Sequence, residues 1–296
     1  MAILIKGETR ILIQGITGKQ GSQACREILA YGGTVVGGVT PGKGGQEVEG
    51  LPVFETVKEA MDKLGGVDVS MVYTPPLLIY GAAMEAIDAK VPMLHLFAEN
   101  VPILDVCRIL FAAKKVGTKV LGPNSVGAIS PGLGKIGSIG GPNPDFVFSR
   151  GPVGVMSKSG GMCSELGNLI TGGGFGQSTV VGVGGDLLAG ITFSDLLLEF
   201  EKDPETKVVV AFGEVGGSAE IEAAKLKEEG KFTKPLIVFL AGKFAEKLPK
   251  DTALGHAGAI VGLEASMDEK IKILKKSGAM VADSFEDIPT LIKKAI

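Results

Sequence analysis

The sequence predicts an α/β protein built as two domains in series, on three observations. Short apolar runs alternate with amphipathic segments up to Leu121, the pattern of a parallel sheet covered by helices on both faces. The alternation breaks over residues 122–152, where Gly and Pro recur from Gly122-Pro123 to Gly151-Pro152, and then resumes. With 296 residues the chain can form two units of about 150 residues, each burying a core. The expected division is 1–124, a Gly/Pro-rich connection over 125–152, and 153–296.

Arg10–Gln14 reads as the first strand. Lys19–Tyr31 follows as a helix, because Ala24, Cys25, Ile28 and Leu29 share one face. Strands are then expected at Thr34–Val39, Val67–Tyr73, Met93–Ala98 and Lys119–Leu121, with helices at Thr56–Leu64, Leu77–Ala89 and Ile103–Lys115. In the second half the apolar runs Val153–Met156, Ser178–Val183, Val208–Phe212, Leu236–Leu240 and Met280–Ala282 are the strands. Helices are expected over Gly161–Ile170, Phe193–Glu201, Ala219–Glu228, Asp268–Lys276 and Phe285–Lys294. Ser266 with Glu269, and Ser284 with Asp287, are spaced as capping boxes for the last two.

Composition removes several function classes. Glycine is the outlier at 45 residues, about twice the usual share of roughly 7%. Tryptophan is absent and aromatics make up 5%, which speaks against a stacking platform for single-stranded nucleic acid. A net charge of −3 gives no basic footprint for DNA or an anionic membrane. Cys25, Cys107 and Cys163 are dispersed, odd in number and without metal spacing, and read as buried thiols in a reducing compartment. No apolar run of about 18 residues occurs, and the N-terminus lacks a signal peptide's apolar region. The expected location is cytoplasmic, with a processed mitochondrial protein as the alternative.

Four segments carry chemistry. The first strand leads into Gly15-Ile-Thr-Gly18-Lys-Gln-Gly21 and a helix; such a turn offers backbone N–H groups to a phosphate, or it serves only to pack helix on strand. The spacing is not GxGxxG, and after the second strand Lys43 stands where an NAD site needs an acid. A phosphorylated nucleotide such as the 3′-phospho-ADP end of coenzyme A suits this pattern better. Ser157-Lys-Ser159-Gly160-Gly161 repeats the strand–turn–helix arrangement and gives an anion a helix start to dock on. A serine-nucleophile reading of this turn has neither a base nor the G-x-S-x-G elbow to support it. Glu214, in Gly213-Glu-Val-Gly-Gly217, ends an apolar strand, either as an orienting carboxylate or as a solvated acid. His256, one of two histidines, sits in Gly255-His-Ala-Gly-Ala259. Imidazole can carry a covalent group, and small neighbours permit close approach; the plain alternative is a histidine packed at a tight turn. His95, inside an apolar run, is expected to be a packed strand residue. Neither a P-loop pattern nor a paired metal-ligand motif occurs.

Taken together, GITGKQG (15–21), VGGVTPGKGG (36–45), GPN (122–124), KIG (135–137), the SKSGG turn, VGVGGD (181–186), FEKDPET (200–206), GEVGGSAE (213–220) and GHAGAIV (255–261) resemble the α subunit of succinyl-CoA synthetase and the matching region of ATP-citrate lyase. The resemblance runs from Ile3 to the C-terminus. It implies a Rossmann-like coenzyme A-binding domain followed by a flavodoxin-like, doubly wound domain that carries a phosphohistidine. The phosphorylated residue falls on His256 and its orienting glutamate on Glu214. The coenzyme A contacts fall on Thr17, Gly18, Lys19, Gln20, Lys43, Phe97, Ala98 and Glu99. ATP and Mg2+ are expected on a separate β-type ATP-grasp subunit, in an αβ or α2β2 assembly.

The organic acid is read from the turn facing the histidine. Succinate enzymes usually have SRSGTLTYE there; this chain has Gly161 for the Thr and Ser164 for the Tyr. With Ser159 and Gly160, these are the expected acid-binding residues. The lost volume suits a larger, more anionic acid, and SGGM together with Ser125-Val126-Gly127 resembles ATP-citrate lyase. The expected reaction is citrate, coenzyme A and ATP to citryl-CoA, ADP and phosphate. Succinate is the alternative and malate a third. A catalytically silent coenzyme A-binding regulator and an NAD-dependent dehydrogenase are the readings from other classes; the first is opposed by His256 with Glu214, the second by Lys43.

Overall fold

Two seven-stranded sheets are laid down one after the other. The computed structural model describes residues 3–242, 244, 248–249, 252–254, 256–260 and 266–296. The first sheet holds β1 (Arg10–Gln14), β2 (Thr34–Val39), β3 (Glu47–Val48), β4 (Leu51–Phe54), β5 (Val69–Val72), β6 (Met93–Leu96) and β7 (Lys119–Leu121), in the order β3-β4-β2-β1-β5-β6-β7. All its pairs are parallel except β3 with β4. Without β3 this is the Rossmann order, whose crevice opens where the order reverses beside β1. Helices α1 (Lys19–Ala30), α2 (Val57–Leu64), α3 (Ile79–Asp88) and α4 (Ile103–Val116) cover it.

The second sheet has the order β16-β13-β12-β10-β11-β8-β9. Its parallel part, β10 (Arg150–Ser157), β11 (Gln177–Gly182), β12 (Val208–Glu214), β13 (Leu236–Ala241) and β16 (Met280–Ala282), is the flavodoxin order. Around it lie α5 (Gly160–Gly172), α6 (Phe193–Lys202), α7 (Ala219–Glu228), α8 (Met267–Lys276) and α9 (Ile288–Ala295). Ser266 caps α8 through a complete capping box with Glu269, and the Ser284 N–H donates to Asp287 ahead of α9. A small antiparallel pair, β14 (Ala253–Leu254) with β15 (His256–Ile260), stands outside both sheets.

Residues 125–152 are more than a connection. β8 (Gly127–Ser130) and β9 (Gly134–Gly137) form a hairpin inside this segment, and β8 pairs antiparallel with β11. Glycines at the strand ends and Lys135 in β9 hid these strands from apolar patterning. Lys135 is fully buried; its ammonium donates to the carbonyls of Ile139 (3.3 Å) and Gly141 (2.6 Å) and lies 3.6 Å from Glu27 of α1. That ion pair ties the first unit's glycine-turn helix to the second sheet.

The cores are also joined, where sequence alone led to one core per domain. Ile11, Ile13 and Met71 pack with Ala24, Cys25 and Ile28 of α1, and the same apolar cluster continues through Ala128, Ile136, Met156 and Val181 to Phe193 and Leu196 of α6. Each fully buried aliphatic side chain of this kind contributes roughly 1.5–3 kcal/mol. Cys25 and Cys163 are buried as expected, whereas Cys107 is exposed, because α4 buries Val106, Ile109 and Ala113 instead. Among the described residues, no helix is long and apolar enough to cross a membrane.

His95 lies in β6 and is fully buried. Its Nε2 is 2.9 Å from the Ser125 carbonyl; a carbonyl only accepts, so Nε2 carries the proton. Nδ1 is buried with no hydrogen-bond partner among the described residues. Burial pushes the pKa down from 6.5 to about 4, against the smaller opposite effect of the Ser125 bond. The unfolded chain therefore takes up a proton that the folded chain refuses. The stabilisation is complete above pH 6.5 and is lost as the pH falls through 4. In chemical-denaturation series across this interval, His95→Phe should flatten the pH slope of the unfolding free energy by about one proton.

Candidate active site

At the carboxyl end of β1 the chain turns through Gly15, whose φ is +80°, and α1 starts at Lys19 behind Gly18, with no side chain capping it. A Cβ on Gly21 would stand 2.3 Å from the Gly15 carbonyl oxygen, so only glycine lets α1 begin this close to β1. The uncapped first-turn N–H groups remain available to an anion. Opposite them lie Tyr73–Pro76 after β5, Phe97–Asn100 after β6 and Asn124–Val126 after β7, around a cavity of about 880 Å³. Gly18, Lys19, Gln20, Phe97, Ala98 and Glu99 all line it. Lys43 and Thr17 stand outside that lining and are joined to each other: Lys43 Nζ donates to Thr17 Oγ1 at 3.3 Å, and Thr17 donates to Thr40 at 3.1 Å.

Tyr73 and Asn124 were not identified from sequence, and both line the cavity. Tyr73 stacks on Phe97 with ring centroids 4.8 Å apart and meets the Ser138 hydroxyl at 3.1 Å. Burial pushes the pKa of the Tyr73 phenol further above its ordinary value of 10.0, and the group stays neutral. It therefore offers a flat apolar face.

The second crevice opens where β10 and β12 diverge, at the other switch point. Glu214, the last residue of β12, is buried, and His256, the first of β15, meets it: Nδ1 lies 2.7 Å from Oε2. Glu214 is thus buried against the imidazole rather than solvated in a loop. The imidazole pKa is raised, first by this hydrogen bond; burial opposes the rise, the Glu214 and Asp186 charges add to it, and Lys158 works against it.

A Cβ on Gly185 would stand 2.7 Å from Cγ and Cδ2 of His256, so the ring lies flat against bare backbone. The neighbouring Asp186 accepts from Asn124 Nδ2 at 3.0 Å, and burial pushes its carboxyl pKa up. One hydrogen bond therefore links the first cavity's lining to the histidine's surroundings.

The turn between β10 and α5 faces both crevices. Ser159 caps α5 by accepting from the Met162 N–H, and Ser157 is engaged with Ser159's backbone through its hydroxyl. That leaves no serine here paired to a base among the described contacts. Gly160 lines the first cavity and abuts Val126; a Cβ there would sit 3.0 Å from Val126 Cβ. Gly161 is exposed, with no atom within 4 Å of where a Cβ would be, and Ser164 is half-buried one turn further on. Ser159, Gly160, Gly161 and Ser164 thus share the α5 start, whereas only Gly160 reaches the large cavity. Lys158, Glu220 and Lys270, which sequence reading did not assign, surround Glu214.

Family models describe both halves of the chain: a CoA binding domain matches residues 6–100 and a CoA-ligase domain matches residues 156–288. The chain is 41% identical to the α subunit 1 of an ADP-forming succinate–CoA ligase from Archaeoglobus fulgidus, across 100% of this chain and 99% of that one. It is 40% identical to the corresponding subunit from Aquifex aeolicus, covering 95% of it. It is also 40% identical to a subunit of an ADP-forming sulfoacetate–CoA ligase from an Acholeplasma species, covering 98% of it. Among solved structures, ATP citrate lyase from Methanothrix soehngenii, in complex with citrate and coenzyme A, superposes with a TM-score of 0.91 at 26% identity. That alignment takes in 99% of this chain, which spans half the length of the lyase.

The raised His256 pKa gives a signed expectation. Its stabilising effect is fully present below the unfolded value of 6.5 and is lost as the pH rises through the folded value. Gly185→Ala should displace the ring and break the Glu214 bond. In an NMR titration the His256 midpoint should then fall back towards 6.5; an unchanged midpoint would show that the ring does not depend on this glycine.

Proposed function

The chain belongs to the family of succinate–CoA ligase α subunits and ATP-citrate lyases, acid–thiol ligases that form a nucleoside diphosphate, and we propose that it relays a phosphoryl group through His256 onto citrate. The observation that carries the relay is the 2.7 Å bond from Glu214 to His256 Nδ1. With Nδ1–H held by the carboxylate, the lone pair lies on Nε2, which becomes the nucleophile.

In this reading Nε2 takes the phosphoryl group from ATP, held with Mg2+ by a β-type ATP-grasp subunit, and ADP leaves. Glu214 stabilises the positive charge that the ring acquires. A carboxylate oxygen of the acid then attacks phosphorus, the N–P bond breaks, and the neutral imidazole returns as an acyl phosphate forms. Attack of the coenzyme A thiol on the acyl carbon forms the thioester and expels inorganic phosphate. The start of α5 places N–H groups where the phosphoryl charge moves.

The first crevice fits coenzyme A by its chemistry. Lys19, Gln20 and the uncapped start of α1 suit phosphates, Thr17 and Lys43 suit an added phosphate at the rim, and Phe97 on Tyr73 gives an apolar wall. Ala98 and Glu99 line the same crevice beyond that wall. We place this function in residues 1–124 and the relay in 153–296, with the hairpin of 125–152 belonging to the second unit.

The choice of acid rests on the α5 turn. Relatives equally similar to this chain are named for succinate and for sulfoacetate, so overall identity does not select the acid. The open space at Gly161 and the small Ser164 favour a third carboxylate and a hydroxyl over the slim succinate chain. Succinate remains the second reading, supported by 40–41% identity along the whole length of two succinate enzymes' subunits.

With the β-type subunit and labelled ATP, the chain should acquire acid-labile, alkali-stable label. His256→Ala should abolish the label, and Glu214→Gln should slow its formation by about two orders of magnitude. Label that persists in His256→Ala would overturn the relay. Coenzyme A-dependent ADP release should favour citrate over succinate and malate by at least about tenfold in kcat/KM, a difference of about 1.4 kcal/mol. Release with succinate alone would overturn the reading of Gly161 and Ser164.

A further inference from the structure

Behind His256 and Glu214 lies a set of charges that the relay does not itself consume. Glu214 spends Oε2 on the imidazole. Its other oxygen, Oε1, is buried and makes no hydrogen bond among the described residues. The cation facing that oxygen is Lys158, whose Nζ is 3.8 Å away and whose side chain is only 14% exposed. The same ammonium lies 3.9 Å from Glu220 Oε1.

Glu220 already has a partner. Lys270 Nζ lies 2.7 Å from Glu220 Oε2, and both side chains are fully buried. Lys270 also donates to the carbonyls of Glu214 (3.0 Å) and Gly216 (2.7 Å), while Glu220 Oε1 accepts from the Glu214 N–H at 3.2 Å. The Glu220–Lys270 pair therefore clamps the backbone of Glu214 at both its N–H and its C=O. Lys270 is thereby spent on Glu220 and two carbonyls and does not pair with the Glu214 carboxylate. Lys158, reaching in from the turn between β10 and α5, is the cation at hand.

We propose that Lys158 is a positioning residue for the relay, the counter-ion that holds Oε1 of Glu214 on the side away from His256 so that Oε2 is delivered to the imidazole. It rests on the reading of His256 as the phosphoryl carrier, and it adds a reason why the ring can be a nucleophile. Glu214 and Glu220 bring two negative charges, and Lys270 and Lys158 bring two positive ones. The cluster is balanced with the imidazole neutral. Take Lys158 away, and balance is restored only by a proton on the ring, which occupies the Nε2 lone pair. Among the described residues, the remaining charge facing His256 is Asp186, after β11, which also favours that proton. Lys158 is the group that opposes both carboxylates. A cation four ångströms from a carboxylate in a half-desolvated site interacts more strongly than an exposed pair.

The chain contains two histidines, so ring-labelled histidine gives two NMR signals, and His95 stays neutral down to about pH 4. In Lys158→Met the His256 midpoint should move to higher pH, and in Lys158→Arg it should stay at the wild-type position. Lys158→Gln, which keeps a polar stem without charge, makes the same comparison should the Met variant not fold. In the assembled enzyme, at a pH below the wild-type midpoint, the uncharged variants should take label about threefold more slowly. The arginine variant should label at the wild-type rate. A midpoint that stays put or falls in folded uncharged variants would overturn the proposal, as would failure of arginine to restore it. If the midpoint rises as expected while the wild-type chain takes no label, the counter-ion role stands and the phosphohistidine reading falls.

Discussion

The carboxyl edges of the two sheets are held against each other, and that sets the two crevices side by side. Each sheet presents its switch-point crevice at this edge. The segment leaving β11 keeps the edges together. Gly190 N–H donates to the Gly122 carbonyl, Ile191 N–H to Val120 at the edge strand β7, and Asn124 to Asp186. The first two, both backbone bonds, also cover the unpaired edge of β7, which would otherwise be open to pairing with another strand. The apolar cluster shared by α1, β8, β9 and α6 fixes the seam from within. A hinge between two independent cores would leave the distance between crevices free; a common core does not.

Burying charge at the second crevice is costly, and the fold offsets that cost by matching partners. Glu214, Glu220 and Lys270 are all shielded from water. A lone buried carboxylate would be neutralised by a shift of its pKa. Here the acids have two ammonium groups, two backbone carbonyls occupy the rest of Lys270's donors, and a backbone N–H occupies Glu220. Such an arrangement adds little net stability compared with apolar packing. Its value is geometric: it fixes a carboxylate oxygen 2.7 Å from one particular imidazole nitrogen. A binding protein without chemistry gains nothing from that expense, which weighs against a silent regulatory role.

Patterning recovered the long elements because the helices bury one face while the parallel strands, buried on both, are apolar almost throughout. The β1–α1 turn, the parallel strands and the capping boxes all follow rules that act within a dozen residues. What escaped was decided by contacts between distant residues. β8 and β9 are four-residue strands with glycines at their ends, and their buried Lys135 has the polarity of a surface residue. Lys270 sits on a helix of alternating charges and looks solvated, yet it is fully buried against Glu214, 56 residues away. Lys158 was visible inside the SKSGG turn, but nothing local says that its ammonium points to β12. The pairing of His256 with Glu214 was expected from the family resemblance of the motifs around each, and the two side chains lie 2.7 Å apart. Tyr73 was missed because a tyrosine at a strand end is equally consistent with ordinary core packing.

The relay and the choice of acid are separable in this architecture. Glu214, Glu220 and Lys270 lie inside the protein, so substitution of any one exposes an unmatched charge and is strongly disfavoured. Gly161 is exposed and Ser164 half-buried on the first turn and a half of α5, where a changed side chain meets solvent or ligand before it meets the core. The backbone of that turn is meanwhile held by Ser157 and Ser159 through their own hydroxyls. The start of α5 can therefore stay in place while the residues at positions 161 and 164 change. A fold arranged this way can keep one phosphoryl-transfer geometry and accept different carboxylates, consistent with relatives of equal identity bearing the names of different acids.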